Sequence, residues 1–534
     1  MRRFAAEGRA SVTPEWAAQY FKWWGIYTQG DGAGVAGGKG GEGVTSEYFL
    51  MRIGIPNGIL TSAQLRLIGN LTQKYARNLA DITVRQNIQL HWLTIENLPE
   101  IVDALEAVGL SPVGACGDVV RNVTGCPLAG LAADEVIDAS PLALEVSRLL
   151  SGNSEFYNLP RKFKITITGC PSWCSYPEIN DLAFTPARRN GVIGFSLRVG
   201  GGLSREPHLA VKLDAFVLPE QVVAVSRAAA LLFREQIELR ESRERARMKY
   251  LFLKQGWDAK RFLDELHARL DFQLQPAGEE VVPADVFRDH TGIHAQHTAN
   301  LFTVGASVLR GRLSGEQLVA AAALADHYGS GKIRLTVAQN LLFVDIPADK
   351  TEQLVHELDK IEFHVEASNF WRGAVSCTGM EFCKLALTET KSFTRWLVEE
   401  LDARLPGFDQ QLRLNVTGCP NGCGQHWIAD IGIEGKKIRE QDRMVDAYYF
   451  CLGGAVGKDS GVARPVGYRC AADRVPDAIE RLLRAYLATR NEDENLRTWF
   501  ARHSDEQLRI TLAGESVEAE ERDLPAGRPA SGGE

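Results

Sequence analysis

A chain of 534 residues is too long for one small core and implies about three or four domains. Its net charge of −8 has the wrong sign for a general nucleic-acid binder, and no apolar run approaches the ~20 residues needed to cross a bilayer. Ten cysteines are too few for a disulfide scaffold in so long a chain; in a reducing compartment, clustered thiols point instead to metal or redox chemistry.

At the start, Arg2-Arg3 is followed by Phe4-Ala5-Ala6-Glu7-Gly8-Arg9. That segment lacks the apolar stretch of an export signal, so a cytoplasmic location is expected. The run GDGAGVAGGKGGEG from Gly30 to Gly43 invites a phosphate-loop reading, but Gly40 stands after Lys39 where Ser or Thr would bind magnesium. A flexible surface loop is the better expectation. Helical apolar periodicity covers residues 62–79, 98–108, 219–238, 317–328 and 475–488. Lys164–Thr168, Val192–Val199, Arg413–Val416 and Ile428–Ile433 read as strands. The tail from about Glu515 is acidic and rich in Gly and Pro, a composition of disorder. The mixture has no dinucleotide fingerprint and reads as α+β.

The chain also repeats itself. Ile82-Thr-Val-Arg-Gln-Asn-Ile88 is echoed by Leu335-Thr-Val-Ala-Gln-Asn-Leu341. KITITGCPSWCSYPEINDLAF from Lys164 is echoed by RLNVTGCPNGCGQHWIADIGI from Arg413, and Gly201-Gly202 by Gly453-Gly454. The offsets are 253, 249 and 252 residues, one register throughout, so the chain reads as two halves of one architecture related by a pseudo-twofold axis.

Cys377 and Cys383 stand six residues apart, and Cys419 and Cys423 four apart on a turn with Gly418, Pro420 and Gly422. Four thiolates from two short loops suit an iron–sulfur cubane; structural zinc would favour tighter Cys-x-x-Cys spacings. Cys170 and Cys174 repeat the second spacing in the first half, and Cys126 stands 251 residues before Cys377. Ala132 occupies the place of a fourth thiol, so this set reads as the remnant of a duplicated site. Cys116, Cys451 and Cys470 have no partner by spacing and read as free thiols. His290, His294 and His297 could share a helix face, but Gly292 weakens that helix, and structural histidines are expected. The run Arg240–Lys249 reads as a charged helix face that could dock an acidic partner.

C-x5-C followed by C-x3-C, in the contexts TGMEFCKLALTET and NVTGCPNGCGQHWIADIGIEG, resembles the ferredoxin-dependent nitrite and sulfite reductases. The likeness starts near Lys22-Trp-Trp-Gly-Ile-Tyr27 and runs through Tyr48–Arg52, Arg85–His91, Cys116–Val123 and Leu159–Lys164 to about residue 500. It implies a pseudo-twofold duplicated three-domain fold with a shared ferredoxin-like domain. The implied divisions are an N-terminal arm (1–44), ferredoxin-like half-domains (45–112 and 281–366), siroheme-domain halves (113–280 and 367–500) and a tail (501–534). It further implies siroheme, a 4Fe–4S cluster on Cys377, Cys383, Cys419 and Cys423, and Cys423 as the thiolate shared with the siroheme iron. Reduced ferredoxin would be the donor, a small inorganic anion the substrate, and the chain a monomer.

By the same resemblance, Arg52, Arg121, Lys162 and Lys164 match the cations that hold the substrate, while Arg85, Gln89 and His91 match positions around the macrocycle. The chemistry is sensible in its own right, since an oxyanion losing oxygen as water needs positive charge and proton donors. Without it, Arg52, Arg85 and the alternating Lys162 and Lys164 read as charges in water. Nitrite reductases of plant type commonly carry Asn where Lys164 stands and sulfite reductases carry Lys, so sulfite reduction is the expectation and nitrite reduction the alternative. A non-catalytic iron–sulfur carrier would leave the cations without a job.

Overall fold

The computed structural model describes residues 1–30, 47–283 and 288–515. The expectations for the glycine-rich stretch after Gly30 and for the tail beyond Glu515 lie outside the described residues. The first half supplies β1 (Ile26–Thr28), β2 (Phe49–Ile53), β3 (Ile59–Thr61), β4 (Ala80–Ile82) and β5 (Ile88–Leu93). It continues with β6 (Thr124–Gly125), β7 (Ile165–Ile167), β8 (Leu182–Arg189), β9 (Val192–Val199) and β10 (Val211–Val217), with β11 (Glu279–Glu280) paired to β8. The second half supplies β12 (Gly292–Ala295), β13 (Leu301–Ala306), β14 (Arg312–Leu313), β15 (Lys332–Leu335) and β16 (Leu341–Pro347). It ends with β17 (Ala374–Ser376), β18 (Leu414–Thr417), β19 (Ile431–Glu440), β20 (Arg443–Leu452) and β21 (Arg464–Ala471).

Two sheets have the orders β1-β2-β5-β4-β14 and β12-β13-β16-β15-β3. Each takes its last strand from the other half, which welds the halves into one body. The sequence echo has a local cause. Thr61 caps the helix Ser62–Tyr75 in a reciprocal box with Gln64, and Ser314 caps Gly315–Tyr328 in the same box with Gln317. These two helices cross at Gly69, where a Cβ would stand 2.8 Å from the Gly315 carbonyl oxygen. The echoed glutamines reach across the axis: Gln86 Nε2 donates to the Leu335 carbonyl and Gln339 Nε2 to the Ile82 carbonyl, both at 2.9 Å. One apolar core includes Ile82 and Leu90 of the first half with Leu335 and Phe343 of the second.

The remaining sheets share one topology, β6-β7-β8-β9-β10 and β17-β18-β19-β20-β21. The first three strands of each are parallel and the next antiparallel, and each sheet has its own core. The strand expected over Ile428–Ile433 starts at Ile431, because His426–Ile428 forms a helical turn after the cysteine loop. The tail expected from residue 501 is corrected to a packed segment: the helix Asp505–Ala513 buries Leu508 and Leu512 in the second core. The run Arg240–Lys249 is no solvated helix face. It makes two short 3₁₀ turns, after which Arg247 and Lys249 turn inward and are buried.

Candidate active site

The cysteine loops leave matching ends of neighbouring parallel strands. Ser376 of β17 lies opposite Val416 of β18, so Cys377 and Cys419 start their loops side by side. Gln339 fixes the first strand end by accepting the Ser376 N–H at 3.0 Å. The Cys377 sulfur accepts the Gly418 N–H at 3.3 Å, a contact that suits a metal-bound thiolate. Gly379 and Gly422 turn these loops with φ of 71° and 65°, and a Cβ on Gly379 would press 2.4 Å from Thr390 Oγ1. Burial pushes up the thiols of Cys377, Cys383 and Cys419, Cys383 to about 12, and the charge of Cys423 is the next cause for each. The four sulfurs therefore act on one another, and a cationic cluster would reverse the penalty on their thiolates. Cys423 alone among them is exposed.

The charge of Cys423 also acts on Arg52 and Lys162, so the same sulfur faces a second cluster, of cations. Arg52 on β2 donates to Gln89 Oε1 on β5 at 2.7 and 3.1 Å, a register contact, since the two residues are directly paired. It also meets Tyr27 Oη and Cys116 Sγ, each at 3.2 Å. Burial opposes the charge of Arg52, but Cys116 and Tyr27 hold its pKa above the ordinary arginine value. Arg121 reaches the carbonyls of Gly117 and Ala115 at 2.9 and 3.3 Å, and burial lowers its pKa to about 10. Lys162 is lowered to about 7 by burial, and Lys164 well below its usual value by burial and then Lys162. Neither ammonium has a hydrogen-bond or ion-pair partner among the described residues. Arg85 binds Asn180 Oδ1 at 2.8 Å and the Asn122 carbonyl at 2.6 Å, while its Nε stays buried without a partner.

Cys423 thus acts on Cys377, Cys383, Cys419, Arg52 and Lys162, with Gln89 on Arg52, Arg121 and Lys164 beside Lys162, and Arg85 beside Lys164. His91 is the exception. It has no exposed surface, binds Asp81 at 2.9 Å and stacks on Phe382 at 4.0 Å, so here it supports the loop before Cys383. Three contributors escape a reading by spacing. Cys116, expected to be a free thiol, lies against Arg52. Tyr27 orients the same guanidinium. Arg247 pairs with the fully buried Asp181 through contacts of 3.0–3.2 Å, and Asp181 accepts the Lys164 N–H at 2.8 Å. The echo of Asp181 in Asp430, which accepts the Arg413 N–H at 2.7 Å, was the available signal for that brace.

A duplicated α+β body that gathers four thiols beside unpartnered cations defines an iron–sulfur oxidoreductase acting on an anion. The nitrite and sulphite reductase 4Fe-4S domain matches residues 116–274 and 367–519, and the nitrite/sulfite reductase ferredoxin-like half domain matches 43–108 and 294–361. The assimilatory ferredoxin-dependent nitrite reductase of Haloferax mediterranei is 37% identical, over 93% of this chain and 88% of its own. Sulfite reductase [ferredoxin] 2 of Mycolicibacterium paratuberculosis is 36% identical, over 95% and 92%. The NirA structure from Mycobacterium tuberculosis superposes with a TM-score of 0.90 at 36% identity, covering 95% of this chain and 93% of that one. The chain belongs to the nitrite and sulfite reductase family, with its duplicated fold, and the family's cofactors are siroheme and a 4Fe–4S cluster. The residues present fit both groups: four convergent thiols for the cluster, and cations with an orphaned buried Arg85 Nε for a carboxylate-rich macrocycle. No helix among the described residues is long and apolar enough to cross a membrane.

Proposed function

We propose that this chain reduces sulfite to sulfide with six electrons from reduced ferredoxin, and that nitrite, reduced to ammonia, is its second substrate. The observation that carries the reading is the pair of unpartnered ammonium groups of Lys162 and Lys164 beside Arg52 and Arg121. Cations buried together in this way are costly, and an anion of two or three oxygens offsets that cost. Siroheme, when bound, supplies the iron at which the anion is reduced, and the cluster on Cys377, Cys383, Cys419 and Cys423 supplies single electrons.

The chain's own residues do the rest. Arg52 and Arg121 stay protonated and grip oxygens, with Gln89 and Tyr27 setting the Arg52 fork. Lys162, with its pKa near neutrality, holds a proton at Nζ that an oxygen leaving as water can take. Lys164 adds a fourth cation, which suits sulfite with its three oxygens and partial second charge better than nitrite. Arg85 would hold carboxylates of the macrocycle. Cys423, whose charge acts on the other thiols and on Arg52 and Lys162, would hold both the 4Fe–4S cluster and the siroheme. Relatives named for each substrate at 36–37% identity keep nitrite as the second reading.

The sequence holds no flavin or nicotinamide motif, so electrons arrive singly from a small acidic carrier met by a monomer. Higher ionic strength should therefore weaken the apparent affinity for ferredoxin. Steady-state reduction of sulfite and nitrite, side by side with reduced ferredoxin, tests the whole reading. The expected result is a higher kcat/KM for sulfite with measurable nitrite turnover; sulfite turnover at background with rapid nitrite reduction would overturn it.

A further inference from the structure

The first half repeats the strand ends that carry the cluster cysteines, and it keeps three thiols there. Cys126 follows the end of β6, and β7 leads through Thr168 and Gly169 to Cys170 and Cys174; the two strands are parallel, with Gly125 opposite Ile167. Gln86 accepts the Gly125 N–H at 3.1 Å, as Gln339 accepts that of Ser376. The outcome differs from the second half. The sulfurs of Cys126, Cys170 and Cys174 lie within 4.8 Å of one another and are all buried, and Cys170 and Cys174 approach to 3.4 Å without a disulfide.

That spacing discriminates between metal centres. A tetrahedral ion with metal–sulfur bonds of about 2.3 Å holds its thiolates about 3.8 Å apart. A cubane, whose irons each carry one thiolate pointing outward, holds them roughly 6 Å apart. Among the described residues, Cys377, Cys383, Cys419 and Cys423 form no set of three as tight as this one.

The fourth thiol is missing because Ala132 takes its place, and that place is covered by another strand. Ala132 bridges to Gln296, and His297 N–H donates to the Leu131 carbonyl at 2.8 Å, which brings in the chain that carries His290. His290 is 2% exposed, and neither Nδ1 nor Nε2 has a hydrogen-bond partner. An imidazole so buried is normally hydrogen-bonded on at least one nitrogen. Its nitrogens fall outside the set that lies within 4.8 Å of one another, so the ring must turn toward the three sulfurs to share an ion with them. Its backbone is fixed on both sides. The carbonyl packs where a Cβ on Gly305 would stand at 1.7 Å, and Asp289 is clamped by Arg372 at 2.9 and 3.0 Å. Arg334 is buried with Nε and Nη1 unpartnered, and the charge of Cys126 acts on it.

We propose that Cys126, Cys170 and Cys174, joined by His290 as its ring turns in, bind one tetrahedral divalent ion of the zinc type, a structural centre separate from the cluster. On binding, the three thiol protons leave to solvent, and the ion bonds to three thiolate sulfurs and one imidazole nitrogen. No electron is exchanged. The site replaces the remnant expected from sequence: one half of the duplication keeps an electron-transfer cluster, and the other uses the same strand ends for a redox-inert clamp. The ion would tie the Cys126 and Cys170 loops of the first half to the His290 segment of the second.

The test is metal content and zinc K-edge X-ray absorption of the full-length holoenzyme. One zinc per chain is expected beside the iron, with three sulfurs at about 2.3 Å and one imidazole nitrogen at about 2.0 Å. Zinc below roughly a tenth of an equivalent would overturn the proposal, as would a shell of nitrogen and oxygen only. So would four extra irons per chain, or a Cys170–Cys174 disulfide in alkylated peptides of the wild type. Cys174→Ser and His290→Ala should each lower retained zinc by about tenfold or more and leave the siroheme absorption in place. Zinc at wild-type level in either variant rules out that ligand. Because the wild-type measurements need no variant, a variant that fails to fold leaves them decisive.

Discussion

Replacing Lys164 with Asn should separate sulfite from nitrite and should move activity and stability in opposite directions. The Lys164 ammonium has no partner among the described residues, so its removal leaves no group unsatisfied. What is lost is one charge-assisted contact to the reacting anion, ~1.5–3 kcal/mol, of which the neutral amide of Asn restores part. The remainder, ~1–2 kcal/mol, corresponds to a fall of about 5- to 30-fold in kcat/KM for sulfite. Nitrite has two oxygens and one charge, so its loss should stay within about threefold.

Stability runs the other way. Burial, then Lys162, Arg247 and Arg85, push the pKa of Lys164 well below its unfolded value. For such a group the charged form is disfavoured by folding, and the cost is present at every pH below the unfolded pKa. Asn removes that cost, so the melting temperature at pH 7 should rise or hold. The assays are steady-state kinetics of both anions and thermal melting of the holoenzyme. An unchanged ratio of the two kcat/KM values would refute the assignment of Lys164 to the third oxygen. Equal losses for both anions with a lowered Tm would mean structural damage instead.

Cys423→Ser should abolish electronic coupling between cluster and siroheme in Mössbauer spectra and nearly all anion reduction, whereas Cys174→Ser keeps both cofactors; equal loss from the two sinks the assignment of Cys423. Asp181→Asn leaves the buried Arg247 guanidinium without its counter-charge and should cost about 3–5 kcal/mol, read as a lowered Tm; an unchanged Tm would show that the pair does not brace the site. Glu178, 4% exposed, is pushed up by burial to about 7, although Gly457 donates its N–H to it at 2.5 Å. Its folded pKa lies above the unfolded one, so the native state binds the extra proton between about pH 4.5 and 7. Stability should therefore fall by about 3 kcal/mol as pH rises through that window, and Glu178→Gln should flatten the loss. Tm values at pH 5 and pH 8 check this, and parallel curves for the two proteins would refute it.

Much of the fold and the cluster was legible in the sequence. The echo of TVRQN in TVAQN reported a two-fold structure because each glutamine must reach the other half's backbone, Gln86 to Leu335 and Gln339 to Ile82. The C-x5-C and C-x3-C spacings reported two neighbouring thiol loops because each pair sits on one short loop after a strand. The helices were readable from apolar periodicity, and the structure adds the capping boxes that start two of them. Where the reading erred, the missing information was long-range. Cys116 read as a free thiol without a partner, but packing sets it against Arg52. Arg247 and Lys249 looked like surface charge because no local pattern announces that the chain turns inward to Asp181 and the Leu203 carbonyl.

The sequence by itself determined the duplication, the secondary structure and the covalent spacing of the cluster thiols, since these depend on contacts within one loop or one repeat. The tertiary structure decided which charges lose their water and which sulfurs end up close. Arg52 meets Cys116, 64 residues away, and Arg247 meets Asp181, 66 residues away, through sheet registers and helix packing. Desolvation and ion pairing depend on the whole surrounding shell, and that shell is assembled from both halves of the chain.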